Sequence, residues 1–345
     1  MTRVGLVGYG MAGADIHRPA LLEAGLTIAS VATANPERQA ACRAALPDAA
    51  VVPDLSALLE HGGVDVVVLA SPSGVHAEQA HAVIDAGIPL VVDKPLAVDA
   101  DQALEIVDHA ARDDVPLTVF QNRRYDPEFA TLAAVVARGM VGEPFRFEHR
   151  WERWRPVPKA RWREQASAAD GGGLLLDLHA HLIDAATHLF GPIDTVFATV
   201  ASRTTPAEDD TFLVCRHDSG MVSHVGALSL AGAPGPRVRL LGRDAAYVLA
   251  TLDGEPVPWT AMLDAPGSTG WIVRGTEKDA VPTVAARQAD FYVAVAEAVT
   301  SGAGQAGMPV DPRDAVHTLA VIDAARTSAE AERVVEVITP GQRPD

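Results

Sequence analysis

Lysine is nearly absent from this chain of 345 residues: its 28 basic residues include only Lys94, Lys159 and Lys278, so the other 25 (28 less 3) are arginines. Each lysine therefore raises the question of what a compact ammonium does there that a guanidinium could not. Cysteine is equally scarce. Cys42 and Cys215 lie far apart with no CxxC or CxxH spacing around either, which excludes a disulfide framework and a structural zinc motif and makes a reducing, cytoplasmic setting the expectation. The N-terminus runs from Met1-Thr2-Arg3 straight into Val4-Gly5-Leu6-Val7-Gly8, without the basic region, apolar stretch and cleavage site of an export signal. Apolar runs such as 64–70, broken by Asp65, fall far short of the roughly 20 residues that span a bilayer, so no membrane span is expected. Positive charge is in deficit, with 28 basic against 45 acidic side chains and a net charge of −17. That balance argues against nucleic acid or an anionic membrane as the main partner. What is plentiful is apolar surface, 48% of residues against 21% charged. A chain of this length and composition is globular, with core for about two domains.

From residue 3 to about 121, short β-branched runs alternate with helical patterns, as in a parallel sheet with crossover helices. Strands are expected at 3–8, 27–33, 50–52, 64–70, 90–92 and 117–121. Helices are expected at 12–24, 36–45, 55–60, 75–86 and 101–112, with Asp54 and Asp99 as N-caps. This rhythm predicts an α/β fold with an N-terminal Rossmann, doubly wound parallel sheet. Beyond Gln121 it changes to a helix at 127–138, a strand at 145–154, a glycine run with a helix, and strands at 196–203, 211–216, 222–230, 238–241 and 246–250. That pattern predicts a C-terminal α+β domain on a mostly antiparallel open sheet. Residues 252–284, with Pro256, Pro258, Pro266 and Pro282, read as an irregular excursion, followed by helices at 285–301 and 312–332. The expected domains are 1–122 for the dinucleotide, 123–339 for substrate binding and oligomerisation, and a flexible tail at 340–345.

The first strand leads into Gly8-Tyr9-Gly10-Met11-Ala12-Gly13, a G-x-G-x-x-G that opens a helix. Bare backbone serves the tight turn, the approach of a pyrophosphate and the packing of helix on strand, while the helix N-terminus faces the anion. In this strand–turn–helix setting the motif predicts dinucleotide binding through Gly8, Gly10, Met11, Ala12 and Gly13. The second strand ends Val31-Ala32-Thr33-Ala34-Asn35, with no acid to grip a ribose 2′-hydroxyl before Glu37. Thr33, Asn35 and Arg38 suit a 2′-phosphate instead, so NADP is favoured over NAD. The bland alternative is that 36–38 is a solvated helical turn tolerant of both cofactors.

The fifth strand ends Val91-Val92-Asp93-Lys94-Pro95, which places Lys94 at the carboxyl end of the sheet, where a nicotinamide lies. Here the sequence resembles the glucose-fructose oxidoreductase and inositol dehydrogenase (Gfo/Idh/MocA) family, whose members carry Glu-Lys-Pro or Asp-Lys-Pro at this point. The segment Gly171-Gly172-Gly173-Leu174-Leu175-Leu176-Asp177-Leu178-His179-Ala180-His181-Leu182-Ile183-Asp184 resembles the family's Gly-Gly-Gly…Asp-x-x-x-His…Asp motif. If helical, it sets Asp177 and His181 on one face. His181 then takes the proton of a substrate hydroxyl and Asp177 orients substrate or ring, with Lys94 as the third catalytic residue. His179 stands where many relatives have glycine, and its role is open. A metal reading of Asp177, His179, His181, Asp184 and His188 is set aside because residues two apart on a helix diverge; no metal is expected.

The resemblance extends along the chain. Residues 13–19 and Ala70-Ser71-Pro72-Ser73-Gly74-Val75-His76 are similar to cleft-lining segments and add Ser71, Pro72 and His76 to the cofactor set, with His17 and His76 equally readable as local packing. Phe120-Gln121-Asn122-Arg123-Arg124-Tyr125-Asp126 and Arg161-Trp162-Arg163-Glu164-Gln165 resemble a subgroup that includes NADP-dependent scyllo-inositol dehydrogenases. They point to Asn122, Arg123, Arg161 and Trp162 as substrate-binding, with His179 added to that set as the neighbour of Asp177, whereas Arg124 is readable as a structural ion pair. Residues 146–163 hold seven basic residues with Trp151, Trp154 and Trp162, which reads as strand alternation rather than a nucleic-acid surface, given the net charge. The resemblance implies an NAD(P)-dependent dehydrogenase acting on a cyclitol, sugar or related polyol, assembled as a homodimer or homotetramer through its second-domain sheet. Two alternatives stay open: a non-catalytic dinucleotide sensor, against which Lys94, Asp177 and His181 together speak, and a ketone or imine reductase of specialised metabolism.

Overall fold

In the computed structural model the residues described are 1–159, 162–167, 171–250 and 264–341. They form two compact units, Met1–Asn122 with Arg287–Val316, and Arg123–Ala286 with His317–Asp345.

The first unit is built on six parallel strands: β1 (Arg3–Val7), β2 (Thr27–Ala32), β3 (Ala50–Val52), β4 (Val66–Leu69), β5 (Leu90–Asp93) and β6 (Leu117–Phe120). Their order is β3-β2-β1-β4-β5-β6, with the chain reversing direction across the sheet between β1 and β4. Strands so apolar that all of β4, β5 and β6 is buried are those that tolerate helices on both faces. The helices start where the sequence provides caps: the side chains of Asn35, Asp54 and Asp99 accept the main-chain N–H groups of Arg38, Ala57 and Gln102. The first helix departs from expectation. It begins as a π-helical segment, Ala12–His17, before continuing as the α-helix Arg18–Glu23. The chain divides after Asn122, and Arg287–Val316 returns to this unit instead of staying with the residues before it. Phe291 meets Phe120 edge to face and Tyr292 lies tilted against it, with ring centroids 4.9 and 5.2 Å away, and the Thr118 hydroxyl donates to the Val310 carbonyl.

The second unit carries nine strands: β7 (Pro144–Glu152), β8 (Ile193–Ala201), β9 (Asp210–His217), β10 (Val222–Leu228), β11 (Val238–Gly242), β12 (Ala246–Leu249), β13 (Ser268–Arg274), β14 (Glu277–Pro282) and β15 (Val335–Glu336). The order is β14-β13-β12-β11-β7-β10-β9-β8-β15, antiparallel except where β7 and β10 run parallel. Helix Ala180–Phe190 packs on this sheet, and its Ala186 joins Phe147, Leu240 and Tyr247 in one core. The expected irregular excursion is corrected: β13 and β14 form a hairpin turning at Gly275-Thr276. The prolines had suggested otherwise, but Pro266 precedes β13 and Pro282 ends β14, an edge strand, where a missing N–H costs little. Pro256 and Pro258, and the expected tail beyond 341, lie outside the described residues. Among the described residues no helix is long and apolar enough to cross a membrane.

Candidate active site

At the carboxyl end of β1 the glycine loop is shaped by contact. Gly8, at φ +95°, donates its N–H to the Ala32 carbonyl, and a Cβ there would lie 2.6 Å from the Ala70 carbonyl oxygen. Gly13 is tighter still, since a Cβ would overlap the Gly8 carbonyl oxygen. Only bare backbone fits, which is the cradle a dinucleotide pyrophosphate requires. Met11 is half-exposed beside the loop, and Ala12 opens the helix. The Arg38 guanidinium lies over Gly10, 3.6 Å from where its Cβ would be. Thr33 is buried, and its carbonyl accepts from the Gln39 amide. Asn35 acts first as an N-cap, so its amide oxygen is committed to the Arg38 N–H. Ser71 donates its hydroxyl to Gln79, Pro72 is exposed, and both His76 nitrogens face main-chain carbonyls, of Pro95 at 2.8 Å and Ser71 at 2.9 Å. His76 thus frames the ends of β4 and β5.

Lys94 is buried at the end of β5, preceding a cis peptide bond to Pro95. Its N–H donates to Asp93 Oδ1 at 2.8 Å, while Asp93 Oδ2 lies 3.6 Å from His17 Nε2. His17 Nδ1 in turn meets the Tyr292 hydroxyl at 2.5 Å. Burial opposes ionisation of Asp93, but the His17 hydrogen bond and the charges of His17, Lys94 and His76 prevail and hold its carboxyl below the usual range. Burial pushes the Tyr292 hydroxyl the other way, well above its ordinary value. Asn122, also buried, follows β6.

In the second unit, Asp177 lines a cleft of about 620 Å³ of empty space, part of it open to solvent. The cleft gathers Arg153, Arg155 and Lys159 after β7, the acids Glu164, Glu208 and Asp209, and the hydroxyls of Thr204, Thr205 and Ser229. Glu208 was not foreseen from sequence. Its carbonyl accepts the Leu174 N–H and its carboxylate the Leu175 N–H, so it holds the start of the helical turn from which Asp177 projects. Gly173, at φ +90°, leaves that carboxylate its space, since a Cβ would lie within 2.5 Å of both its oxygens. Burial raises the Glu208 carboxyl above its usual range, despite the two backbone N–H groups and Arg326 that favour its ionised form. Asp209 ties down the rim by accepting from the N–H groups of Arg203 and Thr204.

Asp177 and His181 stand four residues apart where the π-helical Leu175–His179 passes into the α-helix Ala180–Phe190, and four residues make close to one turn in either geometry. His181 lines a second cavity, about 350 Å³ in empty volume, with Arg123, Asp126, Glu128, His149 and Arg237. Trp151 links the two: it lines the first cleft, and its ring centroid lies 5.9 Å from that of His181. Arg237, Arg153 and Arg123 each approach the Trp151 ring, at 4.3, 5.0 and 5.1 Å. Glu128 accepts from Arg237 Nε at 3.1 Å; burial opposes its charge, but Arg237 and His149 lower its carboxyl to about 2. Burial, then Arg237, lowers His149 to about 4, and the imidazole is neutral.

His179 is corrected as a substrate ligand. It is fully buried, Nε2 lies 2.8 Å from the Thr211 hydroxyl, and burial lowers it to about 3. Asp184 takes both Arg124 donors in a buried bidentate pair, and His188 stacks near Phe129. Of the five residues weighed as metal ligands, His179, Asp184 and His188 thus face Thr211, Arg124 and Phe129 respectively. Arg123 donates to Asp126 at 2.5 Å at the mouth of the His181 cavity. Arg161 lies outside the described residues; Trp162 opens a short helix, Trp162–Gln165.

A Rossmann unit with a dinucleotide loop and a buried strand-end lysine, together with a sheet-based unit whose cleft presents a carboxylate among polar groups, defines the dehydrogenase class of NAD(P)-dependent oxidoreductases. Two family models match: the oxidoreductase family with an NAD-binding Rossmann fold over residues 2–121, and the GFO/IDH/MocA C-terminal domain over residues 129–248. The chain belongs to this Gfo/Idh/MocA oxidoreductase family. It is 31% identical to the uncharacterised oxidoreductase YdgJ of Escherichia coli (strain K12), over 95% of this chain and 96% of that protein. It is 29% identical to the scyllo-inositol 2-dehydrogenase (NADP(+)) IolW of Bacillus subtilis (strain 168), over 96% of this chain and 95% of that one. Among solved structures, the oxidoreductase yvaA of Bacillus subtilis superposes with a TM-score of 0.84 at 27% identity, over 97% of this chain and 98% of the other.

Proposed function

We propose that this chain interconverts a secondary alcohol and a ketone of a cyclitol, sugar or related polyol, with NADP as the preferred nicotinamide. The observation that carries this reading is the Asp177 cleft. It sets cationic, carboxylate and hydroxyl groups around one polar space, a lining suited to a ligand whose every face offers hydroxyl donors and acceptors. Bound nicotinamide supplies the hydride acceptor or donor. Gly8, Gly10, Met11, Ala12 and Gly13 hold its pyrophosphate, with Ser71 and Pro72 beside them. Arg38, aided by Thr33 and the Asn35 amide, meets a 2′-phosphate, because a guanidinium over the loop favours a dianion where an acid would repel it. His181 accepts the hydroxyl proton, Asp177 orients the substrate, and the Lys94 ammonium stabilises the oxygen on which negative charge develops. Arg123 and Asn122 border the substrate. The buried free thiols Cys42 and Cys215 suit a reducing cytoplasm, and the half-exposed Phe197 and Phe212 on adjacent strands support a homo-oligomer.

The test is to incubate the protein with NADP or NAD and a panel of inositols and aldoses and follow the absorbance of the reduced nicotinamide. Turnover on at least one polyol, faster with NADP, is expected. Saturable NADP binding with no turnover on any of them would assign a dinucleotide sensor instead.

A further inference from the structure

We infer that the paired helices His76–Asp85 and Ala100–Arg112 carry a binding site for one zinc-like divalent cation. Each helix contributes the same spacing: His81 and Asp85 are four apart, as are His109 and Asp113, so each pair sits one turn apart on a single face. The two faces meet. His109 Nε2 lies 3.2 Å from Asp85 Oδ1 and 3.2 Å from Asp113 Oδ2, and the three ligand atoms are all within 4.8 Å of one another. A tetrahedral ion with nitrogen and oxygen ligands at about 2.0–2.2 Å sets neighbouring ligands roughly 3.3–3.5 Å apart, so two of the three edges already stand near that length.

Two further features favour a cation there. Asp85 is the last residue of one helix and Asp113 the C-cap of the other, so both carboxylates stand at the negative end of a helix dipole, where acids are disfavoured. Arg112 Nε, at 3.3 Å, meets only Asp113 Oδ1, leaving Oδ2 turned to His109. On the other side of the imidazole, His109 Nδ1 lies 2.8 Å from His81 Nδ1. His109 Nε2 is within hydrogen-bond distance of Asp113 Oδ2; the cation would displace the proton held there, and donation from His109 Nδ1 to His81 would then hold the tautomer a metal ligand needs. Imidazole with two carboxylates suits zinc rather than magnesium or calcium, and water completes the coordination. An ion so held pins together the two crossover helices on either side of β5 in sequence.

The test uses tag-free, metal-stripped protein, with zinc titrated against a chromophoric chelator and cobalt(II) as a visible-absorbance probe. One ion per chain, a tetrahedral cobalt spectrum and a zinc-raised melting temperature are expected. His109→Ala and Asp85→Asn should abolish all three, whereas His81→Ala should weaken binding about 10–100-fold. The Asp85 side chain is 68% exposed, so Asp85→Asn leaves the fold intact and keeps the test decisive if His109→Ala does not. Absence of saturable binding, or one-ion binding unchanged in Asp85→Asn, overturns the assignment.

Discussion

Among single residues, the buried ion pair of Arg124 and Asp184 shows how geometry separates structural charge from catalytic charge. Both side chains are less than a tenth exposed, and the pairing is bidentate at 2.8 and 2.6 Å. Removing one partner leaves a buried charge uncompensated. Asp184→Asn should therefore cost about 3–5 kcal/mol in denaturant unfolding, with an Arg124→Met/Asp184→Leu double variant recovering much of it. A loss under 1 kcal/mol in the single variant would show the pair to be solvated. Arg38 is the opposite case, an exposed guanidinium over the loop. Arg38→Ala should raise the KM for NADP about 10–100-fold, the worth of a charge-assisted hydrogen bond, and leave that for NAD nearly unchanged. Equal effects on both cofactors would remove Arg38 from discrimination. The scarce lysines divide similarly: Lys94 is buried at the strand end, Lys159 lines the Asp177 cleft, and Lys278 lies 4.3 Å from the Trp271 ring centroid.

At the scale of elements, what was legible in the sequence was what is decided locally. The six apolar strands, the Asp54 and Asp99 caps and the glycine loop follow from nearest neighbours, and the structure has them where expected. What was illegible depends on distant partners. Nothing near Asp177 announces that Leu175–His179 is π-helical; Glu208, more than thirty residues on, grips the Leu175 N–H. Nor does the 285–301 pattern show that Phe291 and Tyr292 pack on Phe120 rather than in the second unit. Motifs nominate the residues of the candidate site one at a time, but they do not show that Asp177 lines one cleft and His181 another cavity, with Trp151 touching both. The glycine run acquires a cause in the same way, since Gly173 exists to seat Glu208. Gly173→Ala should lower kcat on the best polyol at least tenfold while leaving NADP affinity intact, because the loop at Gly8 belongs to the other unit. Unchanged kcat would mean that Asp177 does not depend on this turn.

For the whole molecule, buried imidazoles set the response to acid. His149 and His179, lowered to about 4 and about 3, are neutral in the fold and would bind protons near their ordinary 6.5 once unfolded. Their depressed folded values mean that stability is present above about 6.5 and is lost as pH falls toward 4 and then 3, by about 1.4 kcal/mol per pH unit for each. Glu128, held at about 2, adds a loss in the same direction below the ordinary carboxyl range. Glu208, raised by burial, opposes these and partly offsets them. Unfolding free energy should therefore rise with pH between about 4 and 6.5, with a shallower slope in His179→Phe; a flat profile in the parent protein would contradict the burial of these rings.

If Lys94 acts on the reacting oxygen of a dinucleotide-dependent dehydrogenase, replacing it with alanine removes the ammonium without touching the glycine loop. With NADP affinity read from nicotinamide fluorescence and kcat from the best polyol of the panel, Lys94→Ala should lower kcat about 10²–10³-fold with cofactor affinity within a fewfold of the parent. A kcat near the parent's, with the protein folded and NADP bound, would contradict it.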